Sequence, residues 1–264
     1  MPKREQISHK GTFGKVLNFC GSEKYTGAAY LSAISSLKTG AGYSALATDK
    51  NVINILSAMF PDAVYMEYSD GIDVINNFDV VLVGCGLDIN KKSVQVFKAI
   101  MKKLNNSEIP LIIDADGLNI LSKIKIQLPE NTIITPHPAE AARLLQISTD
   151  MVLANTKDSA KKLSEKYNCI TVLKTHRTVI CDKSYNVHIN EYGNSALAKA
   201  GSGDVLSGII AGLLAQKIKL FEAAKLGVYL HSKAGELASE ELTEYSVLAS
   251  DLLKYIPKAI KNCI

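Results

Sequence analysis

Short, unbroken apolar runs recur along the chain and alternate with longer stretches where apolar residues return every third or fourth position. The runs at 16–20, 43–48, 80–83, 111–113 and 133–134 read as buried strands, with a weaker one at 63–66. Between them, 27–38 is helical in period and rich in small residues, 51–60 is a second helix, and 93–104 lines up Val94, Phe97, Ile100, Met101 and Leu104 on one face. Downstream, 139–145 and 152–167 are predicted as helices, the second with its lysines on the solvated side. Residues 170–174, 178–181 and 185–189 read as three strands joined by short turns, the last two antiparallel. A helical final third follows, with the apolar run 209–215 behind the 200–208 loop, then 221–237 and 248–260.

Strands alternating with helices predict an α/β fold, a mostly parallel sheet with helices on both faces, in one domain over 1–264. In such a sheet a ligand sits outside the carboxyl ends of the strands. The turns with chemistry in them all follow predicted strands, at 21–22, 84–86, 114–116, 137–140 and 174–178. They are expected to gather along one edge.

Composition narrows the function classes. A chain of 264 residues, 47% apolar and 21% charged, is that of a soluble globular protein that needs no staple. The net charge of +4, from 30 basic and 26 acidic residues, is spread along the chain without tryptophan, so no nucleic-acid partner is expected. No apolar run is long enough to span a membrane, and the polar start, Met1 to Gln6, is not a signal peptide. Cys20, Cys85, Cys169, Cys181 and Cys263 are odd in number and never spaced Cys-x-x-Cys, which points to free thiols in a reducing, cytoplasmic setting.

The chemistry centres on Ala200-Gly201-Ser202-Gly203-Asp204, just ahead of the apolar helix. Such a loop offers N–H groups at a helix N-terminus to a phosphate or an oxyanion. Asp204 there is either an ordinary N-cap or a base that takes a proton from an attacking hydroxyl. Asp114 and Asp116 read either as turn and cap residues or as carboxylates near phosphates. In Thr135-Pro136-His137-Pro138-Ala139-Glu140 the prolines hold His137 rigidly, and Glu140 either complements the helix dipole or reaches a hydrated Mg²⁺. Lys174 ends a strand where a phosphate could lie. Cys85 has no histidine partner that would make it a nucleophile; His9, His176, His188 and His231 read as structural.

Taken in order, these segments resemble the bacterial ADP-dependent NAD(P)H-hydrate dehydratases of the ribokinase-like superfamily. The resemblance runs from His9-Lys10-Gly11-Thr12-Phe13-Gly14-Lys15 through Gly40-Ala41-Gly42, Gly84-Cys85-Gly86, Asp114-Ala115-Asp116-Gly117-Leu118-Asn119, the His137 segment and Leu173-Lys174, to Leu197 through Asp204. It implies a ribokinase-like three-layer sandwich and dehydration of the S epimer of hydrated NADH or NADPH, with ADP or ATP consumed as cosubstrate and Mg²⁺ as cofactor. By the same resemblance Asp204 is the base, and Gly201, Ser202 and Gly203 form an anion hole. Lys174, Thr175, His176, Arg177, Thr178 and Gly203 flank the nucleotide; Ala41, Gly86, His137 and Asp204 touch the hydrated dinucleotide; Asp114, Asn119 and Glu140 lie near phosphates or metal, Glu140 through water. A homotetramer and a separate upstream epimerase are implied too. The chain departs from the family pattern at Thr175, where glycine is usual, at Asn194-Ser195-Ala196 for Asn-Pro-Gly, and at Ala139 for glycine. Two other readings stay open: a small-molecule kinase of the same superfamily, acting on a vitamin or thiazole alcohol, and a non-catalytic nucleotide-binding protein.

Overall fold

The computed structural model describes residues 1–2 and 4–263. Its centre is one nine-stranded sheet, made of β1 (Lys15–Phe19), β2 (Tyr43–Thr48), β3 (Val64–Glu67), β4 (Val80–Val83), β5 (Leu111–Ile113), β6 (Thr132–Ile134), β7 (Ile170–Leu173), β8 (Val179–Cys181) and β9 (Val187–Ile189). The spatial order is β3-β2-β1-β4-β5-β6-β7-β8-β9. All pairings from β3 across to β7 are parallel, and β8 and β9 close that side as antiparallel strands. Because side chains alternate along a strand, each apolar run feeds two cores. Val16, Val80 and Leu82 pack on one face, and Leu17, Val81 and Val83 on the other.

The first face carries α1 (Thr26–Thr39), α2 (Lys50–Met59), α9 (Ser202–Ala215), α10 (Leu220–Leu242) and α11 (Ala249–Lys261). The second carries α3 (Tyr68–Val74), α4 (Lys91–Leu104), α5 (Asp116–Leu121), α6 (Pro138–Leu145), α7 (Thr149–Ala154) and α8 (Thr156–Tyr167). The expected three layers are therefore present. The predicted single helix over 152–167 is two helices. Asn155 breaks it with an extended backbone (φ −147°, ψ 77°), and its side chain accepts the Asp158 N–H at 3.0 Å. An asparagine that caps its own downstream turn competes with helix continuation. The α3 helix was not legible as one, since its short sequence, Tyr-Ser-Asp-Gly-Ile-Asp-Val, contains a glycine and two aspartates.

Helix α9 is nearly all apolar and buried, and its seat against α1 depends on close backbone approach. A Cβ at Gly208 would stand 2.3 Å from the Ser32 carbonyl oxygen, and one at Gly212 would stand 2.5 Å from that of Ser36. The small-residue helix α1 and the glycines of α9 are complementary halves of one contact. That contact fixes where the α9 N-terminus lies above the sheet.

Candidate active site

Gly201 turns the chain into α9 from the left-handed region, at φ 89°, a conformation that favours glycine. No side chain caps the helix, and among the described residues the N–H groups of Gly203 and Asp204 find no backbone carbonyl. These are the free donors expected at a helix start. A Cβ at Gly203 would approach Lys174 Nζ to 3.2 Å, so the hole lies directly against the lysine that follows β7.

Asp114, just past β5 and almost fully buried, sits beneath this helix end. Its Oδ1 accepts from Lys174 Nζ at 2.7 Å and from the Ala115 N–H at 2.8 Å, and its Oδ2 accepts from Ser207 Oγ at 2.8 Å. Ser207 lies one helical turn beyond Asp204, so α9 grips the same carboxylate that its Asp204 faces. Burial, together with the negative charge of Asp114, pushes the Asp204 carboxyl up to about 7, an effect Cys85 and Lys174 only partly offset. Burial pushes Lys174 down, but the Asp114 and Glu140 carboxylates outweigh it and leave the ammonium held above its ordinary value. The lysine is thus a paired cation, with its side chain only 20% exposed, rather than a solvated strand end.

His137 caps α6 with its own ring. Nδ1 accepts the Ala139 and Glu140 N–H groups at 3.1 and 3.4 Å, while Glu140 Oε2 accepts the His137 N–H at 2.8 Å. This reciprocal box satisfies two helix-start donors and fixes both side chains. Burial and the Asp114 charge push the Glu140 carboxyl up to about 7 against the pull of Lys174. Burial, then Lys174 and Arg143, hold the His137 imidazole below its ordinary value.

These groups line one cavity of about 880 Å³. It brings together Asp114, His137, Glu140, Lys174, Thr175, His176, Thr178, Gly201, Ser202, Gly203 and Asp204. Arg177, Asn119, Gly86 and Ala41 do not line it. Arg177 is exposed, its carbonyl accepting Thr175 Oγ1 at 2.7 Å. Asn119 reaches back to Asp116 Oδ1 at 3.3 Å. Gly86 is on the expected edge but packs on Tyr25 and Ala28, each close enough that a Cβ would stand under 3 Å from their side chains. Ala41 is furthest from expectation. It lies between α1 and β2, at the amino end of the sheet, because parallel strands force each helix to return the chain to the opposite edge.

The departures at Thr175 and Asn194-Ser195-Ala196 are absorbed locally. Thr175 needs no left-handed backbone. Asn194 Oδ1 accepts the Ala196 N–H at 3.2 Å and starts a 3-10 turn, Ser195–Leu197, on the cavity wall. Two cavity features were missed from the sequence, the Ser207 grip on Asp114 and a buried contact of 3.0 Å between His231 Nε2 and Ser202 Oγ. Ser207 was recoverable from helical spacing, three residues beyond Asp204. His231 was not, since its partner is 29 residues away.

Comparison with known proteins shows the family. A family model described as NAD(P)H-hydrate dehydratase matches residues 16–258. The ADP-dependent (S)-NAD(P)H-hydrate dehydratase of Neisseria meningitidis is 35% identical, over 90% of this chain and 81% of the relative. The bifunctional NAD(P)H-hydrate repair enzyme of Thermofilum pendens is 35% identical over 99% of this chain but 52% of its own length, so the chain spans about half of such bifunctional relatives. The Bacillus subtilis ADP/ATP-dependent NAD(P)H-hydrate dehydratase, co-crystallised with ATP and Mg²⁺, superposes with a TM-score of 0.89 at 30% identity, over 99% of this chain and 94% of that one.

Proposed function

The chain belongs to the NAD(P)H-hydrate dehydratase family, and on that premise we propose that it dehydrates the S epimer of hydrated NADH or NADPH at the expense of ADP or ATP. The observation that carries this is the union of a base with an anion hole. Asp204 stands in the first turn of α9 beside the free N–H donors, over the Asp114–Lys174 pair.

The hydroxyl at C6 of the damaged ring is a poor leaving group. With Asp204 taking its proton, the oxygen attacks the terminal phosphoryl group of the nucleotide, and AMP leaves when the nucleotide is ADP. Loss of phosphate from C6 and of a proton from C5 then restores the ring double bond. The N–H groups of Gly203 and Asp204 and the ammonium of Lys174 stabilise the phosphoryl oxygens as charge moves across them. Because Asp204 titrates near neutrality, its carboxylate is a base of useful strength at pH 7. The apolar wall of Leu197, Leu206 and Val228 gives the cavity room for a flat ring system.

Mg²⁺ fits this site as the companion of the nucleotide. Cys85, Asp114 and Asp204 bring their ligand atoms within 4.8 Å of one another. The Cys85 thiol, raised well above its ordinary value by its contact with Cys20 and by burial, is no ligand for a hard cation. Both Asp114 oxygens are already bonded within the protein. Asp204, and Glu140 through water, are left to face an ion that takes most of its oxygens from phosphate and solvent. A homotetramer and a cytoplasmic setting complete the reading; light scattering of the purified protein tests the first.

The test is incubation with S-NADPH hydrate, Mg²⁺ and either ADP or ATP while following the dihydronicotinamide absorbance. Recovery that requires nucleotide supports the proposal. A stable phosphoester without recovery would favour the kinase reading.

A further inference from the structure

His231 is a buried histidine in the wall of the cavity that the chemistry above does not use. It projects from α10, is 7% exposed, and its side-chain partner is Ser202, whose Oγ lies 3.0 Å from Nε2. Ser202 is the first residue of α9, between Gly201 and the free N–H of Gly203, and it also lines the cavity. Burial pushes the imidazole down to about 4, with the Ser202 backbone opposing and Lys174 adding to the shift, so the ring is neutral at pH 7. A neutral imidazole holds one proton on one of two nitrogens. If Ser202 gave its single proton to Nε2, it would show an anion only lone pairs. If Nε2 carries the proton, the serine oxygen accepts, and its O–H is free to point elsewhere.

We propose that His231 is a positioning residue that acts through Ser202. Its Nε2–H donates to Ser202 Oγ and turns the serine hydroxyl toward a phosphate oxygen held at the start of α9. The hole then has three donors, two backbone N–H groups and one hydroxyl whose direction is set from below. This rests on the reading of the hole as the nucleotide phosphate site, but not on the reaction that follows binding.

The experiment is calorimetric titration of ADP with Mg²⁺, and in parallel of adenosine, which has no phosphate. The proteins are wild type, Ser202→Ala, His231→Leu, His231→Gln and the double variant Ser202→Ala/His231→Leu. Removing a hydrogen bond to a charged group predicts ADP binding roughly tenfold to a hundredfold weaker in Ser202→Ala and His231→Leu. The double variant should match Ser202→Ala alone, since the histidine acts only through the serine. His231→Gln, whose amide can still donate, should recover most of the affinity, and adenosine binding should not change. Equal weakening of ADP and adenosine, independent losses that multiply in the double variant, or full ADP affinity in Ser202→Ala would each overturn the proposal. Should His231→Leu fail to fold, Ser202→Ala and His231→Gln still decide it. Failure of the dehydratase reading appears separately, as wild-type protein that binds ADP but does not restore the absorbance.

Discussion

Two carboxyls in the cavity, Asp204 and Glu140, titrate near 7 because burial and the neighbouring Asp114 charge disfavour their ionised forms. Both lie above their unfolded values, so each favours folding while protonated. That contribution is complete below about pH 4 and is lost as pH rises through about 7, opposite to an ordinary paired acid. The ligand-free protein should therefore lose thermal stability between pH 5 and about 8, and Asp204→Asn should flatten that profile. Activity should move the other way, since the base works only as the carboxylate, so kcat should rise with pH through about 7. Asp204→Asn should also lower kcat roughly 10²–10⁴-fold with nucleotide affinity retained; a loss under about threefold would remove Asp204 as the base. Lys174→Met leaves the Asp114 carboxylate buried without its cation, a change on the order of 3–5 kcal/mol for a fully buried pair and less here because the lysine is partly exposed, to be read from urea denaturation. The residue types at the site were legible from local sequence, whereas the pairings of Asp114 with Lys174 and His231 with Ser202 join distant segments that no local spacing reveals.

Elements were read best where one period ran uninterrupted. Runs such as 43–48, 80–83 and 111–113 match their strands because buried parallel strands must be apolar on both faces. The reading failed where polar side chains made local bonds, as at Asn155, which splits α7 from α8. Helix α9 shows how an element's packing governs the site at its end. Gly208→Ala would force its Cβ against the Ser32 carbonyl oxygen and push α9 away from α1, at a cost of about 1–3 kcal/mol for an overpacked contact. Since α9 carries both Asp204 and the Ser207 grip on Asp114, kcat should fall with stability. The same exchange at Gly27, where a Cβ would meet nothing within 4 Å, should leave kcat unchanged. If Gly208→Ala lowers the melting temperature yet keeps full kcat, the α1–α9 contact does not position the base.

At the scale of the whole molecule, one topological fact carried the sequence reading. Turns after parallel strands share an edge, so residues 21–22, 84–86, 114–116, 137–140 and 174–178 were expected together before any contact was known; Asp114, His137, Glu140, Lys174, Thr175, His176 and Thr178 line one cavity with the α9 start, whereas 21–22 and 84–86 stay outside it. The same rule separates Ala41, which precedes β2, from that edge within one chain. A ligand that bridges the carboxyl ends of β5 to β7 and the start of α9 ties both sides of the cavity to the folded state, and so raises its stability by mass action. At ADP near one hundred times its dissociation constant, with Mg²⁺ present, the gain is about 2.7 kcal/mol, visible as a higher melting temperature. Asp204→Asn should keep or enlarge the shift at equal ADP, because it removes a carboxylate that repels phosphate at high pH. Lys174→Met should diminish it, because that ammonium is the cation beside the hole. The contrast depends on charge sign alone. A shift that Lys174→Met leaves intact would place the phosphates somewhere other than the α9 start.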